Sequence, residues 1–274
     1  MELYDSCIRE MIDCIGEKRI CASKADKASW DAAAGAEMVF RSDMALELGG
    51  SNADSASGIF YTNDKSAAAE DEICVIGKDI PDLIAAADGG HSGSRFGGGI
   101  RNGRLRFGRK NSGIETEGQP SVPFGRIVLI RINEEKITDK SRLYQLLRAV
   151  EFGRYHVYPK GCMIQVSALE QKESIRVSKD AAAAGVTLAG IGKLMLGAYH
   201  KIPQVEAVKI LFLTDPEIDY ARLREIAEKS ENITKALDHL TGKMIEDCST
   251  CGLKNICDEV KDVIEEEFPE NKES

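Results

Sequence analysis

The chain has 274 residues, enough for one large domain or two small ones and a sizeable core. Apolar residues make 43% and charged residues 30%, an ordinary balance for a soluble protein, and no apolar run approaches a membrane span. The net charge of −9 argues against non-specific nucleic-acid binding, which needs a basic face. Met1-Glu2-Leu3-Tyr4-Asp5 lacks the basic start of a secretory leader, so a cytoplasmic chain is expected. In that compartment its eight cysteines are metal ligands or small buried hydrophobes, not disulfides.

Residues 2–20 have helical periodicity, with Leu3, Cys7, Ile8, Met11, Cys14 and Ile15 on one face. An Ala-rich stretch surrounds Trp30. Met44–Leu48 reads as a strand stopped by Gly49-Gly50, and residues 51–70, rich in Ser, Ala, Asn and Asp, as a loop. Ile73–Ile76 reads as a short strand ending at Gly77, and Ile80-Pro81-Asp82 as a helix start. Residues 89–120 combine many glycines with Arg95, Arg101, Arg104, Arg106, Arg109 and Lys110. Such a stretch is a surface excursion or an anion clamp, in which backbone N–H groups and arginine forks hold phosphate.

Beyond residue 124 regular elements alternate. Strands are expected at Arg126–Ile132, Cys162–Ser167, Ser174–Ser178 and Val205–Leu213. Helices are expected from Thr138 to about Phe152, with Leu143, Leu146, Leu147 and Val150 inward, and from Thr187 to His200. Asp215-Pro216-Glu217 reads as another helix start, and a separate helix is expected over about Thr234–Glu246. Arg176 and Lys179 flank a strand end and suit an anion. The expected fold is α+β: a mixed sheet covered by helices, with a metal-binding segment at the C-terminal end. Its parts are a helical segment 1–40, an α+β domain 41–247 with the excursion 89–120, and a cysteine motif with an acidic tail, 248–274.

That motif is Cys248-Ser-Thr-Cys251-Gly-Leu-Lys-Asn-Ile-Cys257. Three thiols within ten residues suit an iron–sulfur cluster or structural zinc, both of which usually take four ligands. Cys162, Cys74 or an N-terminal cysteine can supply the fourth, or it is left to water, a substrate or a partner, including a second copy in a homodimer.

Several stretches, in order, resemble the central region of acetyl-CoA synthase, the nickel–iron–sulfur subunit of the carbon monoxide dehydrogenase/acetyl-CoA synthase complex. They are Asp43-Met-Ala-Leu-Glu-Leu-Gly-Gly50, Cys74-Val-Ile-Gly-Lys-Asp-Ile80, Ile175-Arg-Val-Ser-Lys-Asp-Ala181, Val208-Lys-Ile-Leu-Phe-Leu-Thr-Asp215 and Leu240-Thr-Gly-Lys-Met244. The resemblance covers residues 40–257. It implies that Cys248, Cys251 and Cys257 hold a cluster, favouring 4Fe–4S over zinc, and that a redox, carbon monoxide dehydrogenase or corrinoid protein is the partner. The family's nickel-binding Cys-Gly-Cys does not occur here, and its coenzyme A segment is replaced by Ala168-Leu-Glu-Gln-Lys-Glu-Ser174. The expected function is thus an iron–sulfur accessory or electron-transfer protein of anaerobic one-carbon metabolism without complete synthase activity. An enzymatic alternative places coenzyme A on Arg101, Arg104, Arg176 and Lys179, and a further alternative is a zinc-stapled interaction module.

Overall fold

The two longest apolar runs lie side by side at the centre of the molecule. The structure is a computed structural model that describes residues 2–22, 33–89, 122–242 and 253–268. β4 (Phe124–Ile132) pairs antiparallel with β7 (Val205–Leu213). β2 (Ser55–Thr62) runs parallel to β4 on one side, and β3 (Glu72–Ile76) parallel to β7 on the other, giving the order β2-β4-β7-β3. This mixed sheet has almost no polar alternation in β4 and β7, because both faces are covered.

A second, antiparallel sheet has the order β1-β6-β5, from β1 (Met44–Leu48), β5 (Cys162–Ser167) and β6 (Lys172–Ser178). Its middle strand β6 packs against β2 and β4, which joins the two sheets there. The helices are α1 (Asp5–Ile15), α2 (Glu17–Ala22), α3 (Ile80–Gly89), α4 (Lys140–Tyr155), α5 (Lys179–Ala183), α6 (Leu188–Tyr199), α7 (Tyr220–Thr241) and α8 (Lys254–Glu267). α7 lies along β2 and is itself covered by α1, α4 and α8, while α6 covers β3 and β7. The architecture is therefore α+β, with two sheets instead of the expected one. Buried residues from 2–22 and from α8 join the same core as the sheets. No helix among the described residues is long and apolar enough to cross a membrane.

Most expected elements are present, with local corrections. The N-terminal periodicity continues through a break at Gly16, and Cys7, Ile8, Met11 and Ile15 are buried as expected. The cap of α4 is Asp139, not Thr138. Its carboxylate accepts the Arg142 N–H at 3.0 Å, while the Thr138 hydroxyl donates to Asp139. Ser178 and Thr187 cap α5 and α6, their hydroxyls accepting the Ala181 and Gly190 N–H groups. The helix expected at Asp215 starts instead at Tyr220, capped by Asp219, and runs unbroken to Thr241. Asp215 and Glu217 belong to the preceding turn, where both pair with Arg19 of α2.

The largest correction is β2, which lies within the segment expected to be a loop. Its Ser-Ala-Ser-Gly-Ile-Phe-Tyr-Thr sequence is buried at every position. Small residues serve close approach here: a Cβ on Gly58 would sit 2.9 Å from Ala227 Cβ of α7. The Gly58→Val variant should lose about 1–3 kcal/mol of stability through overpacking. Urea unfolding checks this, and an unchanged midpoint would contradict the tight α7–β2 contact.

Candidate functional site

Cys257 lies in the first turn of α8, half-buried, and packs against the core. α8 is amphipathic: Val260 and Ile264 are buried, while Asp258, Glu259, Asp262, Glu265, Glu266 and Glu267 face solvent. Two buried side chains one turn apart fix the helix on the scaffold and so fix where Cys257 sits. A half-buried thiol at the start of a core-anchored helix is donor chemistry that suits a cluster ligand. Cys248 and Cys251 lie outside the described residues, as do Arg101 and Arg104 of the Gly/Arg-rich excursion. Among the described residues, no group of three or more His, Cys, Asp or Glu is placed to hold a metal ion.

The other sequence-derived candidates are placed as follows. Cys162 begins β5 and is buried, and burial, reinforced by the nearby Glu37, pushes its thiol up to about 12. A ligand must be a thiolate, so burial works against Cys162 as a donor. Cys74 is fully buried in β3 beside Leu211 of β7. Arg176 Nε donates to Glu47 Oε1 at 2.6 Å across the β1–β6 pair. Lys179 Nζ donates to the Ser42 carbonyl at 2.8 Å. Both cations hold β1 to β6 and the start of α5.

A second constellation was not legible as a site in the sequence. Arg126 of β4 and Glu173 of β6 form an ion pair at 2.9 Å, with side chains 1% and 0% exposed. Ser57 of β2 donates to the same Glu173 oxygen at 3.0 Å, and Arg154 of α4 donates to Ser57 Oγ at 3.3 Å. Arg126 also donates to the Arg154 carbonyl at 3.3 Å and reaches Met195 Sδ of α6 at 3.1 Å. Arg154 continues to Glu231 of α7 at 3.5 Å. Ser55 exchanges hydrogen bonds with the Glu173 backbone, and a Cβ on Gly49, which has φ +64°, would collide with the Glu173 carbonyl. Burial pushes the Glu173 carboxyl up, while Arg126, Ser57 and Arg154 pull it back down. Burial and then Glu151 raise Glu231. The one advance signal was a single arginine inside the apolar run Phe124–Ile130.

No protein-family model matches the chain, and no curated protein matches it.

Breaking the buried pair should be severe. Glu173→Gln leaves Arg126 without its counter-charge and should cost about 3–5 kcal/mol in urea unfolding. The double variant Arg126→Met/Glu173→Met should recover most of that loss, because it removes both desolvated charges. Equal loss in the single and double variants would contradict the pairing.

Proposed function

We propose that this chain is a cytoplasmic iron–sulfur protein related to the central region of acetyl-CoA synthase. It serves as an electron-transfer or accessory module in anaerobic one-carbon metabolism, with a redox, carbon monoxide dehydrogenase or corrinoid protein as partner. The observation that supports it is the Cys248/Cys251/Cys257 run, whose third thiol occupies the first turn of a helix anchored in the core. The ordered sequence resemblance across residues 40–257 supports the choice of iron over zinc.

Cys248, Cys251 and Cys257 would hold the cluster as thiolates, with Cys162 as the proposed fourth protein ligand. When bound, the cluster supplies one-electron redox chemistry. The chain's residues set its surroundings. α8 holds Cys257, and the exposed Asp258 and Glu259 place negative charge directly after it. Negative charge near a cluster lowers its reduction potential by favouring the oxidised form.

Redox titration of anaerobically purified protein tests this reading. A broad visible charge-transfer absorption should bleach on dithionite reduction and return on reoxidation, and Cys251→Ser should abolish it. Asp258→Asn/Glu259→Gln should raise the midpoint potential by tens of millivolts. Colourless wild-type protein would overturn the proposal.

A further inference from the structure

We draw no further inference here: the strongest candidate, the open groove between α6 and the α4–β5 connection lined by His156, Tyr158, Gly197 and Lys201, carries nothing, because nothing in the structure shows what covers it.

Discussion

The ion pair between Arg126 and Glu173 is the constraint on which the rest of the structure depends. Removing two charges from water costs several kcal/mol for each ion, and mutual attraction alone rarely recovers it. The remainder comes from the residues gathered around the pair: Ser57 of β2, Arg154 of α4, Met195 of α6 and, through Arg154, Glu231 of α7. Every major layer contributes a group. The pair also sets register. Ser57 lies beside Arg126 in the parallel β2–β4 ladder, and Phe212 lies opposite it on β7. A slip of one residue would carry Ile127 to the Glu173 carboxylate and turn Arg126 to the other face. The network thus selects one arrangement of two sheets that apolar burial alone would leave less defined.

That hub explains which parts of the fold were legible in the sequence. β4 and β7 could be recognised because their apolar runs exceed what a half-exposed strand needs. The caps Ser178 and Thr187 could be recognised because a hydroxyl before a helical period has a local signature. β2 could not, because its reasons are not local. Ser55 and Ser57 are buried to serve Glu173, more than a hundred residues away, and Gly58 is there to admit Ala227. A strand built for tertiary contact looks, in composition, like a loop. The same holds for Asp215 and Glu217, whose carboxylates suit a helix start but are engaged by Arg19.

The candidate sites show the same division. The cysteine run was legible as a candidate because three thiols at short spacing are the residue type and pattern that metal sites use. The setting of Cys257 was not: Val260 and Ile264 anchor α8 to α7 and the core.

The most direct measurement is the iron, zinc, nickel and acid-labile sulfide content of anaerobically purified protein. The account predicts about four iron and four sulfide per chain, without nickel, as a 4Fe–4S cluster requires. Zinc without sulfide, or protein free of metal, would contradict it.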